Sequence, residues 1–220
     1  MTDGRILLAT QNPGKVREIR RALRGLSLRG HSLKIIGLED VLPGHAHRER
    51  GQTFSANARA KSLYYSRKWD GLTLAEDSGL EIEALDGAPG IRSARFSSPK
   101  PSDEKNNRKV LRLLREVPAG ERKARFVCVM VLAKKGRVVR QFRGEVRGRI
   151  GLAPQGASGF GYDPLFYYPP LRRTFAELPP EVKNAVSHRG RAVLKLRAFL
   201  AAEKKAPPGR LPGRAAARRN

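Results

Sequence analysis

Eight consecutive residues, Phe126 to Ala133 (FVCVMVLA), carry no side chain more polar than a thiol. A strand that is apolar throughout belongs at the centre of a sheet, not at its edge. Lys134–Gly136 supplies a turn, and residues 137–150 (RVVRQFRGEVRGRI) follow with arginines that put one face in solvent. Residues 124–150 therefore predict a long β-hairpin. The rest of the chain has to supply the layers that cover it. Residues 5–10 (RILLAT) predict a buried strand. Residues 15–26 predict a helix with Val16, Ile19, Ala22, Leu23 and Leu26 on one face, and residues 33–38 a second short strand. Strand–helix–strand order of this kind indicates an α/β fold.

Further along, residues 39–52 read as a loop and residues 53–69 as a helix capped by Thr53. Residues 72–78 (LTLAEDS) read as a third strand, with two glycine-rich turns around residues 81–85. Residues 102–117 predict a helix capped by Ser102, with Asp103 and Glu104 at its positive end. Residues 179–205 read as mostly helical, broken near Ser187. Residues 1–203 are expected to form one α/β domain. The stretch 204–220 is basic and proline-rich with no apolar face, and reads as a disordered tail.

Charge narrows the possible partners. Lys and Arg number 45 against 20 acids, a formal net charge of +25. Such a surplus points to a polyanionic partner, either a nucleotide triphosphate or nucleic acid, and predicts salt-sensitive adhesion to the latter. No apolar run approaches the ~20 residues needed to cross a bilayer, and the N-terminus does not read as a secretory signal. A single cysteine, Cys128, allows no internal disulfide, so the cytoplasm is the expected compartment. His45 and His47 form the one close histidine pair and read as part of a solvated loop.

Four segments can carry chemistry. Thr10, Gln11, Asn12, Pro13, Gly14 and Lys15 lie between a strand and a helix, where free amides favour anions. They form a phosphate seat, or equally a plain turn with a surface lysine. Ala75–Gly79 (AEDSG) holds adjacent carboxylates. Neighbouring strand residues point to opposite faces, so Glu76 and Asp77 serve one site only if the strand ends there. Asp77 is the first choice as a Mg²⁺ ligand, with Glu76 near it; the competing reading is a solvated turn. In residues 158–164, Gly159 and Gly161 permit close backbone approach, Phe160 and Tyr162 offer flat faces for a base, and Asp163 offers an acceptor; the competing reading is a glycine-rich hairpin end with core aromatics. Lys183, Ser187, His188 and Arg189 bring donors for phosphate or carbonyl oxygens within two turns, or else form an exposed basic helix end.

These pieces, in their order, resemble the inosine triphosphate pyrophosphatase family. The matching stretches are LLATQNPGKVREI, TFSANARAKS, LAEDSGLEIEALDGAPGIRSAR, GFGYDPLF and AELPPEVKNAVSHRGRAV, which span residue 6 to about residue 200. The resemblance implies an elongated mixed central sheet flanked by helices, with a cleft between two lobes. It implies a cytoplasmic homodimer that hydrolyses ITP, dITP and XTP to the monophosphate and pyrophosphate with Mg²⁺, keeping them out of DNA and RNA. Carried over by motif, Thr10 to Lys15 resemble the triphosphate-binding residues, and Asp77 the proton acceptor and metal ligand. Ser78 resembles a substrate contact, and Phe160 to Asp163 the base loop. Lys183, His188 and Arg189 resemble the remaining substrate contacts. Glu49 falls where the family often has a metal-binding glutamate. Two departures stand out: Ala56 replaces a carboxylate of the usual F-x-E-N-A, and Glu76-Asp77-Ser78 replaces D-D-S. Donors from residues 187–189 would select the 6-oxygen of inosine and xanthine over the adenine amine. Two rival readings are a septum-inhibitor-type nucleotide pyrophosphatase and a basic nucleic-acid-binding protein without catalysis, the latter aided by the tail.

Overall fold

A computed structural model describes residues 4–28 and 30–202; the basic stretch 204–220 lies outside the described residues. In chain order the elements are β1 (Arg5–Leu8), α1 (Pro13–Leu23), β2 (Ser27–Leu28), β3 (His31–Ser32), β4 (Lys34–Gly37), α2 (Leu38–Val41), α3 (Phe54–Ser66) and β5 (Leu72–Ile82). They continue with α4 (Asp103–Leu113), β6 (Lys123–Lys134), β7 (Arg137–Ile150), β8 (Phe166–Tyr168), β9 (Arg173–Thr174), α5 (Pro180–Val186) and α6 (His188–Ala202). Seven strands make one mixed sheet in the order β4-β1-β5-β6-β7-β8-β9. β1 runs parallel to β4 and β5, and the other neighbours are antiparallel.

The apolar run lies in β6, the middle strand, because alternate residues bury on opposite faces. Val127, Val129 and Val131 pack under Phe54 and Ala58 of α3. Cys128, Met130 and Leu132 pack with Ile19 of α1 and with Ala192, Val193 and Leu196 of α6. Farther along the long strands a second core gathers Leu80, Phe126, Val146, Phe166 and Phe175 with Val110 and Leu114 on the α4 side. The two cores are the centres of two lobes strung along β5, β6 and β7.

The predicted hairpin and the break at Ser187 are present as expected. The segment read wholly as loop, 39–52, begins inside the short helix α2. One correction matters for the site. β5 does not stop at Ser78; it runs eleven residues, Leu72–Ile82, and pairs with β6 from Thr73 to Ile82, Asp77 opposite Val129. Its neighbour is what stops. β1 pairs with β5 only through Leu8 opposite Leu74, and the last bond is Ala9 N to Leu74 O (2.8 Å). Lower down, Leu80 N donates to Ser93 Oγ and Ile82 N to Ala88 O. Between these bonds the β5 edge faces a cleft.

α6 reaches that cleft by resting directly on β7. A Cβ on Gly144 would run into the His188 carbonyl oxygen and lie 2.6 Å from Ala192 N. Backbone that close cannot yield as a side-chain tip would. Gly144→Val should therefore lower the unfolding free energy by about 3 kcal/mol, measured by urea denaturation.

Candidate active site

Short β1 leaves both faces of the β5 edge beside one opening. Ligands of open α/β sheets gather at such carboxyl ends of parallel strands. A cavity of about 280 Å³ occupies the opening. Thr10, Gln11, Asn12 and Lys15 line it from the start of α1, and Glu49 and Lys61 from the α3 side. Asp77 and Ser78 line it from β5, Phe160 to Asp163 from the loop before β8, and Lys183, His188 and Arg189 from α5 and α6. Glu76, Pro13, Gly14 and Ser187 do not line it.

Glu76 and Asp77, on opposite faces, have opposite fates. Glu76 is fully buried beneath the cavity, toward α1 and α6. It accepts from Lys15 Nζ (2.8 Å), Arg189 Nε (2.8 Å) and Ser78 Oγ (3.0 Å). Burial would raise its pKa, but the charges of Arg189 and Lys15 hold it well below the usual carboxylate range. Arg189 extends the cluster to Glu18, which also accepts from Lys183 Nζ (2.6 Å). Lys183 in turn binds Asp163.

Asp77 is nearly as buried but faces the other way. Asn57 Nδ2 donates to its Oδ2 (3.0 Å), and Ser78 N to its Oδ1 (3.0 Å). Burial, with the charge of Glu49 added and Lys15 opposing, pushes its pKa up to about 6. Glu49 is itself held low, against its burial, by Lys61, which binds its Oε1; Arg95 stands 3.8 Å from its other oxygen.

The other expected residues divide between ligand-facing and supporting roles. Asn12 caps α1, its Oδ1 accepting from Lys15 N (3.0 Å), while Thr10 Oγ1 accepts from Asn12 N. Gln11 Nε2 donates to Glu39 (2.8 Å). Pro13 opens α1, where its missing N–H costs nothing. Gly14 is required by packing: a Cβ there would lie 2.6 Å from the Phe160 ring. Phe160 is half-buried, with Lys183 Nζ 5.0 Å and Arg189 Cζ 5.5 Å from its centroid.

Tyr162 does not match Phe160 as a base platform. Its ring belongs to the second core and its hydroxyl donates to Ser93 O (2.7 Å). Asp163 is an acceptor, as expected, but inward: its Oδ2 takes Phe160 N (2.8 Å) and Lys183. Ser187 is fully buried and caps α6, accepting from Gly190 N (3.1 Å). His188 and Arg189 are not an exposed helix end. Both are buried, and the His188 ring stacks on Phe126 (4.6 Å, 11°). Burial first, then the charge of Arg189, pushes the His188 pKa well down, so its imidazole is neutral.

Glu18, Asn57, Lys61 and Asp103 were not singled out from sequence. Spacing held a signal for two pairs: Lys15 and Glu18 are three apart on α1, and Asn57 and Lys61 four apart on α3, each pair on one helix face. Asn57 joins two parts of the site, since its Oδ1 accepts from Gly51 N (2.8 Å) in the segment that carries Glu49. Asp103 accepts from Gly161 N (2.7 Å) and steadies the loop. Ala56 is exposed and outside the cavity, so the carboxylate missing there leaves the lining intact.

An α/β sheet whose cleft combines a carboxylate wall, a cation wall and an aromatic ring defines a nucleotide-binding protein of the hydrolase class. Comparison narrows this. The Ham1 family profile matches residues 6–199. A protein from an Exiguobacterium species named dITP/XTP pyrophosphatase is 46% identical over 196 residues, covering 88% of this chain and 95% of that one. A HAM1 protein structure from Coxiella burnetii superposes with a TM-score of 0.81 at 36% identity, covering 92% of this chain and all of that one. The Staphylococcus aureus Ham1 protein gives 0.79 at 37% identity, covering 91% and 100%. The chain belongs to the Ham1 family.

Asp77 binds its proton more tightly folded than unfolded, about 6 against 3.8. Without added metal, the fold should therefore lose stability as pH rises through that window. Asp77→Asn should stabilise the metal-free protein by about 2 kcal/mol at pH 7–8 and by almost nothing below pH 4, read from urea midpoints across pH.

Proposed function

We propose that this chain hydrolyses noncanonical purine nucleoside triphosphates (ITP, dITP and XTP) to the monophosphate and pyrophosphate, with Mg²⁺, as a homodimer. The observation that carries the reading is a single cleft in which Asp77 opposes the cations Lys15, Lys183 and Arg189, with Phe160 beside them. Relatives that bear the name dITP/XTP pyrophosphatase support it.

Asp77 fits a divalent cation, and Glu49, which also lines the cavity, would join it by sharing its carboxylate with Lys61. Both are oxygen donors of the hard type that Mg²⁺ selects. Burial and mutual repulsion leave Asp77 short of positive charge, since its pKa is raised despite Lys15. Glu76 fits less well, because Lys15 and Arg189 already neutralise it beneath the cavity. When bound, the metal would supply charge that offsets the phosphate oxygens and makes water easier to deprotonate.

The remaining steps fall to the chain's own residues. Lys15 would draw the phosphates against the start of α1; its charge is secure because Glu76, against the effect of burial, holds its pKa up. A water oxygen attacks the α-phosphorus, the bond to the bridging β-phosphate oxygen breaks, and pyrophosphate leaves. Asp77 accepts the proton of that water. Beside a divalent cation this carboxylate stays ionised at neutral pH and can take the proton, although activation of the water by the metal would matter more than the basicity of Asp77 itself.

Base choice would follow from Arg189. Of its five N–H donors, Glu76 takes two, Glu18 one and Ser78 one among the described residues. The last, on Nη1, is left to meet a 6-oxygen, and an adenine amine would leave it unpaired. Folded this way, Arg189 is a rigid donor and not a mobile charge.

Incubation with Mg²⁺ and ITP, XTP, GTP or ATP tests the reading. Pyrophosphate should be the first product from ITP and XTP, and Asp77→Asn should abolish it. Orthophosphate released first, or equal turnover of ATP, overturns it. Asn57→Ala removes the donor that aims Asp77. It should lower kcat about tenfold to a hundredfold, with KM changed less than about threefold, in steady-state pyrophosphate release.

A further inference from the structure

Four cations on one face of α4 make no ion pair among the described residues. Lys105, Arg108, Lys109 and Arg112 follow the i, i+3, i+4, i+7 spacing of one helix face. With Ser97 and Ser98 they line a cavity of about 370 Å³ that no acidic side chain enters. Lys105 Nζ donates to the Lys100 carbonyl (3.1 Å) and Lys109 Nζ to the Phe96 carbonyl (2.7 Å), with no carboxylate on either. Arg108 and Arg112 make no ion pair among the described residues. The two acids of the first turn are engaged elsewhere: Asp103 holds Gly161 N, and Glu104 is bonded to Ser102, with Arg108 the weakest influence on it. Ser97 Oγ is buried in the groove wall without a hydrogen-bond partner.

Several other exposed cations have acidic partners. Arg125 has Glu81, Arg143 and Arg147 share Glu145, and Lys135 has Asp70. A chain with 20 acids for 45 bases has left this groove uncompensated.

We propose that the α4 groove seats the phosphate backbone of a single-stranded nucleic acid. The four cations spread over about 10 Å of helix, too far to close on one phosphate and suited to successive phosphates of a strand. The Phe96 ring lies under Lys109, its centroid 4.3 Å from Nζ, and so is covered by a cation. Contacts would therefore go to the backbone and be indifferent to sequence. The groove shares α4 with the nucleotide cavity but none of its lining residues. A strand held there leaves the triphosphate cleft free.

The test uses the full chain, labelled oligo(dT) and fluorescence anisotropy across a salt series. Replacing Lys105, Arg108, Lys109 and Arg112 by Gln should raise Kd at least about tenfold. It should also flatten the slope of log K against log salt by about 3, as loss of four contacts to a single strand requires. A charge-matched control, Gln at the exposed Arg24, Arg137, Arg140 and Arg172, should change Kd less than about threefold. Hydrolysis of ITP and the thermal midpoint should match wild type in the groove variant. If that variant unfolds, Arg108→Gln with Arg112→Gln carries the test, with about half the change in slope. Three results overturn the proposal: equal weakening by groove and control variants, complete loss of binding when residues 204–220 alone are removed, or displacement by poly-glutamate as effective as by unlabelled oligo(dT).

Discussion

A fully buried glutamate, Glu76, holds this structure around its cleft. It sits in mid-strand on β5 and meets Lys15 from the first turn of α1 and Arg189 from the first turn of α6. Removing one member of such a cluster strands the others in low dielectric, at a cost of about 3–5 kcal/mol. The fold answers each charge with another: Glu18 completes Arg189 and Lys183, and Lys183 completes Asp163. Segments more than a hundred residues apart are thereby clamped into one wall, and the cations above it are fixed before any phosphate arrives. Electrostatic preorganisation of this kind is what phosphoryl chemistry demands of a protein.

The pleat of β5 sets the other wall. Glu76 and Asp77 are neighbours in sequence and strangers in environment. One is neutralised and held well below the ordinary carboxylate range, and the other is starved of charge and pushed up to about 6. Two adjacent acids thus differ in charge state: one is neutralised by cations, and the other binds a proton more tightly than an ordinary aspartate. The division requires a strand that continues and a neighbour that ends, so that both faces of one edge reach the same opening.

Much of this was legible in the sequence. Period-two burial in 126–133, amphipathic spacing in 16–23 and the caps at Thr53 and Ser102 all depend on near neighbours and form as expected, whereas the helix expected to reach Leu26 stops at Leu23, where Gly25 turns the chain into a left-handed conformation. Asp77, Lys15, Phe160 and Lys183 were identifiable as candidates, and all four line the cavity. The end of β5 was misjudged because Ser78 and Gly79 look like turn residues, whereas pairing with β6 on the other side carries the strand past them. Ser187 looked like a ligand group but serves as a helix cap, and Tyr162 lines the cavity while its ring packs in the core and its hydroxyl binds Ser93. Polar type alone does not say toward which side a group is turned. Glu18 and Asn57 showed only a helix-face spacing, since the groups they bind lie 165 residues or more away along the chain for Glu18 and, at Asp77, 20 away for Asn57.

By itself, then, the sequence determined the local periods, the layered α/β build, the family and the chemical kinds of group available, because these rest on short-range sterics and on burial of apolar runs. Only the tertiary structure decided which charges are neutralised and which remain for a ligand. That outcome turns on how far β1 runs beside β5 and on which face of a strand each carboxylate leaves, and both are settled by packing between distant segments.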